Sequence, residues 1–172
     1  MVELVEVRSE ARAFRSAWPW YLLALVLVCL DQASKQMASA SLDYGQQLQV
    51  TGFFNWTLLH NTGAAFSFLS DAGGWQNVLF AVIASLVGAY IVFWIYREPQ
   101  SGKGQKCGLA LILSGAVGNL VDRLLHGYVI DFIQLHYRDY YWPAFNVADS
   151  AICVGAALLM IQALRQPAET AS

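Results

Sequence analysis

Long apolar runs alternate along the chain with shorter stretches that mix polar and aromatic residues. The first run, Trp18 to about Ala40, is apolar through Leu30 and then broken by Asp31, Gln32, Lys35 and Gln36. Trp75 to about Tyr96 is nearly unbroken, and two more runs extend from about Cys107 to Leu125 and from about Asn146 to Leu164. Each approaches the roughly 20 residues a helix needs to cross a bilayer. The pattern predicts an all-α membrane protein with four transmembrane helices, at 18–40, 75–96, 107–125 and 146–164. Outer loops 41–73 and 126–145 join them, and at this length residues 1–172 make a single integral membrane domain.

The stretches between the spans add detail. Phe54, Trp56 and Leu58 alternate with polar residues, as in a strand, and Asn61-Thr62-Gly63 reads as a turn. A small extracytoplasmic β structure between spans one and two is therefore expected. Tyr137, Tyr140, Tyr141 and Trp142 suit a short interfacial segment between spans three and four. Ala81-x-x-x-Ser85, Ala84-x-x-x-Gly88 and Ala151-x-x-x-Gly155 are small-residue seams for close helix packing. The N-terminal stretch to about Ala17 mixes Glu3, Glu6 and Glu10 with Arg8, Arg12 and Arg15 and reads as a solvated tail. Ala38-Ser39-Ala40 matches a small-x-small cleavage site, but Asp31 and Lys35 fall before it, which favours a retained helix over a cleaved signal peptide.

Composition and charge agree with a membrane. Apolar residues make up 57% of the chain and charged residues 13%, against about a quarter charged in a soluble domain. A net charge of −2 gives no basic footprint for nucleic acid. Cys29, Cys107 and Cys153 have no metal or redox spacing and read as buried, inert thiols; no metal site or cofactor is expected. His60, His126 and His136 likewise have no ligand spacing. Arg8, Arg12, Arg15, Arg97, Lys103, Lys106 and Arg165 fall on one side of the four-span arrangement. That bias puts both termini in the cytoplasm and the two structured loops outside.

Ionisable groups then stand out. Asp31, Asp122, Asp131 and Asp149 lie at span ends near the outer face, where carboxylates are expensive and mark function. Asp31 has Lys35 one turn away, a pair that can neutralise itself. Arg123 follows Asp122 directly and is expected to satisfy some nearby carboxylate. Asp131 and Asp149 have no basic residue within four positions. Two carboxylates close together in a low dielectric share one proton, which is the logic of an aspartic protease. Asn119 and Asn146, each three residues before an aspartate, are placed to orient such a dyad. Spacing alone leaves alternatives open. Asp149 can be a helix N-terminal residue favoured by the dipole and Asp131 a surface residue. The acids can also serve a proton-coupled carrier or a scaffold, and Asp122 can replace Asp131 as the partner of Asp149.

The motifs, in order, are Asp31-Gln32-x-x-Lys35, Asn61-Thr62-Gly63-Ala64-Ala65-Phe66-Ser67, Gly118-Asn119-x-x-Asp122-Arg123, Gly127-x-Val129-x-Asp131-Phe132 and Phe145-Asn146-x-Ala148-Asp149-Ser150. Five in sequence between four spans resemble the lipoprotein signal peptidases (signal peptidase II), bacterial inner-membrane aspartyl proteases. The resemblance implies removal of the signal peptide from a prolipoprotein, just before a cysteine already carrying diacylglycerol. It implies Asp131 and Asp149 as the catalytic dyad. Asn61, Gly63, Asn119, Arg123 and Asn146 would line the site, supported by Asp31, Lys35 and Asp122. It also implies lipid-modified prolipoprotein signal peptides and membrane lipid as partners, and inhibition by cyclic peptides of the globomycin type.

Overall fold

The computed structural model describes residues 2–63 and 74–165, residues 2–12 by their backbone alone. Each of the four apolar runs is a helix long and apolar enough to cross a membrane. They are α1 (Val2–Ser41, apolar from Ala13), α2 (Trp75–Arg97), α3 (Lys103–His126) and α4 (Val147–Arg165). The stretch expected to be a tail is instead a continuation of α1 back to Val2. Its Ala, Leu, Glu and Arg residues are good helix formers, which local hydropathy does not register. Ala38, Ser39 and Ala40 fall in the last turns of the same unbroken helix, with Ala38 fully buried.

Helix α3 is the hub. Half of its apolar window is buried, against 17% for α2 and α4 and 11% for α1. It packs most extensively on α4, and small residues allow the close approach. A Cβ on Gly155 would stand 2.6 Å from the Gly108 carbonyl oxygen, and one on Gly115 would run into the Ala148 carbonyl. The Ala151-x-x-x-Gly155 seam therefore faces α3, and Gly88 of the Ala84 seam is buried against Leu113. The Ala81 seam does not pack: Ser85 points outward and bonds back to the Ala81 carbonyl at 2.8 Å. Cys29 and Cys153 are also on outward faces and Cys107 is half-buried, so the thiols are not core residues. Apolarity identifies a span but does not say which way each residue faces.

Both outer loops contribute to one antiparallel sheet, ordered β1 (Gln47–Gln49), β2 (Phe54–Asn61), β3 (Val129–Tyr137) and β4 (Tyr140–Tyr141). The second loop, expected to be an interfacial segment, is thus itself strand, with Tyr137, Tyr140, Tyr141 and Trp142 exposed along it. A register shift between Trp56 and Leu59 breaks the alternation of β2. Asn55 and Thr57 are buried while Phe54 and Trp56 are only half-buried, the reverse of the face expected from hydropathy. Both polar side chains find partners, Thr57 on the Gln46 carbonyl at 2.8 Å and Asn55 on Gln134. Gly127 ends α3 in the left-handed region, φ 80°, its N–H returning to the Arg123 carbonyl at 3.1 Å. That turn drops the chain straight into β3.

Two apolar clusters frame what lies between them. One gathers Ala17, Ala24, Ile91, Ile95 and Leu113. The other, beneath the sheet, gathers Ala38, Leu42, Leu58, Ile130 and Phe132. Along α1, Asp31 and Lys35 fall between Ala24 and Ala38. Buried polar groups in such a layer must satisfy one another.

Candidate active site

Helix α1 supplies Asp31, Gln32 and Lys35, and α3 supplies Asn119, Asp122 and Arg123. Strands β2 and β3 supply Asn61 and Asp131, and the start of α4 supplies Asn146 and Asp149. Asp31, Lys35, Asp122, Asn119, Asp131 and Asn146 are all buried.

Lys35 is the centre of one group. Its ammonium lies 2.8 Å from Asp31 Oδ2 and 2.9 Å from Asp122 Oδ2, and it donates to Asn119 Oδ1 at 3.0 Å. The two carboxylates also tie other elements in. Asp31 Oδ1 accepts the Ala148 N–H at 2.8 Å, capping the first turn of α4 from a residue 117 positions away. Asp122 Oδ2 accepts the Ile130 N–H at 3.0 Å, joining α3 to β3. Gln32 donates to Asp122 at 2.8 Å and to the Gly118 carbonyl at 3.1 Å. The i, i+4 pair of Asp31 and Lys35 forms as expected, and Asp122 joins it.

Arg123 does not take the role anticipated for it. Its carboxylate neighbour on the chain is engaged by Lys35, and adjacent helix residues diverge. The guanidinium donates to the Asn119 carbonyl at 3.2 Å and lies 5.3 Å above the Phe80 ring. Asp149, then Asp122 and Asp131, are the carboxylates whose charges reach the guanidinium.

Asp131 and Asp149 form the second group, and amides alone hold them. Asn146 Nδ2 donates to Asp131 Oδ1 at 2.7 Å, and Asn61 Nδ2 to Asp131 Oδ2 at 3.0 Å. Asn119 Nδ2 donates to Asp149 Oδ1 at 2.7 Å, and the Asn146 backbone N–H reaches Asp149 Oδ2 at 3.3 Å. Asn146 therefore touches both acids. Its Oδ1 accepts the Asp149 N–H at 2.9 Å, so Asn146 and Asp149 form a reciprocal capping box at the start of α4. Asn61 reaches Asp131 because β2 and β3 pair Leu59 with Asp131 and Asn61 with Val129, a diagonal contact. Its Oδ1 accepts the Gly63 N–H at 3.0 Å, which fixes the turn. Ala64 to Ser67 of that motif lie outside the described residues.

Neither acid of the second group forms a salt bridge: among the described residues the only ones are those of Lys35. Burial, and then the charge of Asp149, push the Asp131 carboxyl up to about 7. Asp131 therefore keeps its proton to higher pH than a free carboxyl does. No group of three or more His, Cys, Asp or Glu among the described residues is placed to hold a metal. The histidines stack instead, His60 on Tyr128 at 3.9 Å and His136 on Tyr141 at 5.4 Å. Gln32 is the residue to which sequence reasoning gave no role, although it stands in the Asp31-Gln32-x-x-Lys35 motif.

Three comparisons bear on this arrangement. A family model described as signal peptidase (SPase) II matches residues 23–165. The lipoprotein signal peptidase of Cellvibrio japonicus is 48% identical over 159 residues, covering 92% of this chain and 94% of that protein. That of Teredinibacter turnerae is 51% identical over 149 residues, 87% and 89% of the two chains. A bacterial membrane enzyme solved in meso at 2.3 Å superposes with a TM-score of 0.78 at 29% identity, over 88% of this chain and 91% of its own.

Proposed function

The chain belongs to the signal peptidase II family, and on that premise we propose that it is an aspartyl endopeptidase acting on diacylglyceryl-modified prolipoproteins. Membership makes it a multi-pass membrane peptidase that processes lipoprotein signal peptides. The finer reading is that Asp131 and Asp149 cut the bond before the lipidated cysteine. One carboxylate takes a proton from water as the water oxygen bonds to the scissile carbonyl carbon. The protonated partner donates a hydrogen bond, then its proton, to the carbonyl oxygen. Collapse of the tetrahedral intermediate returns a proton to the departing nitrogen and breaks the C–N bond.

The observation that carries this reading is Asn146, bonded to both acids, neither of which has a salt bridge among the described residues. Asp122 fits the rival dyad poorly, because Lys35, Gln32 and the Ile130 N–H already occupy it. Asn61, Gly63, Asn119, Arg123 and Asn146 line the site, and Asp31, Lys35 and Asp122 brace it. The substrate is a lipid-bearing helix that enters sideways from the bilayer, and the outer sheet with Phe53, Phe54 and Trp56 holds it there. Globomycin-type cyclic peptides compete for that position, and bilayer lipid surrounds the outward apolar faces. The basic residues support an inner-membrane orientation with both termini cytoplasmic and the dyad near the outer face.

The test is a gel-shift assay on a purified lipidated prolipoprotein, with and without globomycin. Wild type converts the substrate and globomycin blocks it; Asp131→Asn and Asp149→Asn insert and fold but do not cut. Full turnover by Asp131→Asn would remove the assignment.

A further inference from the structure

We propose that Lys35 is a positioning residue for the dyad: it fixes which way the Asn119 amide points, and so presents an N–H to Asp149. This rests on the reading of Asp131 and Asp149 as the catalytic pair.

A lysine ammonium has three donors and no acceptor. Here there are three acceptors, Asp31 Oδ2, Asp122 Oδ2 and Asn119 Oδ1, and the side chain is wholly buried. The third bond is the one of interest. The two ends of an asparagine amide have nearly the same shape, so only its neighbours decide its orientation. At Asn119 they decide it from both ends. Lys35 and the Asn146 amide donate to the oxygen, at 3.0 and 3.3 Å, and Asp149 accepts from the nitrogen at 2.7 Å. Turning the amide over would set donors against donors on one side and an oxygen against a carboxylate on the other.

The charge of Lys35 also reaches Asp149, and that of Asp31 opposes it, so a test of orientation has to remove both charges together. What passes through Asn119 is orientation. Without the lysine donor, the amide oxygen keeps only the longer bond from Asn146, and the reversed amide becomes accessible. A reversed amide offers Asp149 an acceptor, which favours its protonated form and removes the base at low pH. The predicted signature is a shift of the acid limb of the pH–rate profile toward higher pH.

The experiment uses the full-length purified protein and the lipidated prolipoprotein assay, with kcat and KM followed across pH. The informative variant is Lys35→Met combined with Asp31→Asn, which removes one charge of each sign. Asp31→Asn alone is its control. We expect kcat about 10- to 100-fold below that control, KM within about threefold, and the acid limb raised by about one pH unit. In an Asn119→Ala background the same change is expected to cost almost nothing further, because both variants break one chain of contacts. Additive losses with an unmoved acid limb would overturn the proposal and leave Lys35 a brace. If the double variant does not fold, Asn119→Ala alone decides, since an unmoved acid limb there also overturns it. Failure of the underlying reading looks different: Asp149→Asn would then still cut.

Discussion

Asp31 and Asp122 form one pair of carboxylates, both buried; Asp131, buried, and Asp149, half-buried, form another. Asn119 links the two groups, its oxygen on the Lys35 ammonium and its nitrogen on Asp149. The first pair has an ammonium between its members, 2.8 and 2.9 Å away. The second has only neutral amides and backbone N–H groups. A cation lets both acids of a pair stay ionised, and the result is a fixed strut joining α1, α3, β3 and α4. Amides satisfy oxygens without cancelling charge, so the second pair is left competing for a proton. The same side-chain type, with and without a cation beside it, gives a brace in one case and the proposed reactive centre in the other.

The largest expected effect breaks the reactive pair alone. Asp131→Asn or Asp149→Asn should lower turnover at least about 1,000-fold, while the thermal midpoint in detergent stays level or rises, because an uncompensated buried charge has gone. A matching loss of stability would place these acids in the structural pair instead. Next comes the reverse experiment. Lys35→Met on its own leaves two carboxylates without their cation and should destabilise the fold by about 3–5 kcal/mol. Unchanged thermal unfolding would mean that the strut carries no strain-bearing role.

The pH response sharpens the contrast. Asp131 is raised from 3.8 to about 7, so the folded protein holds that proton more tightly than the unfolded chain. Its contribution to stability is complete below about pH 4 and is lost as pH rises through about 7. Thermal midpoints should therefore decline across that window in wild type and decline less in Asp131→Asn. Activity should fall on the alkaline side with a midpoint near 7, as the pair loses its shared proton. A flat profile to pH 9 would contradict this. The smallest effect is steric. A Cβ at Gly118 would stand 2.6 Å from Asp31 Oδ2, so Gly118→Ala should cost about 1–3 kcal/mol by displacing the strut. Gly102→Ala, with nothing within 4 Å of the new atom, should stay within about 0.5 kcal/mol.

How far all this was legible depends on the range of the interaction. The helices are written in local hydropathy, and the Asp31–Lys35 pair in a spacing of four. Asn146 was visible as an amide three residues before an aspartate, although it caps α4 from outside rather than sharing its face. The sheet was half visible: β2 announces itself by alternation, but nothing near Val129 says that it pairs with a segment some 70 residues earlier. For the same reason nothing near Asp122 in the chain names its cation, which comes from α1. Facing was illegible too, since an apolar span reads alike on its packed and outward sides, as Cys29 and Cys153 demonstrate.

The capping of α4 by Asp31 has a consequence for biogenesis. Helix one is synthesised first and helix four last, yet the earliest aspartate grips the latest helix across 117 residues. A nascent chain halted before Asn146 already contains Asp31, Asp122 and Asp131 but not the amide that bridges to the final acid. Translation has to pass Asp149, and both loops have to reach the same side, before the acidic couple exists at all.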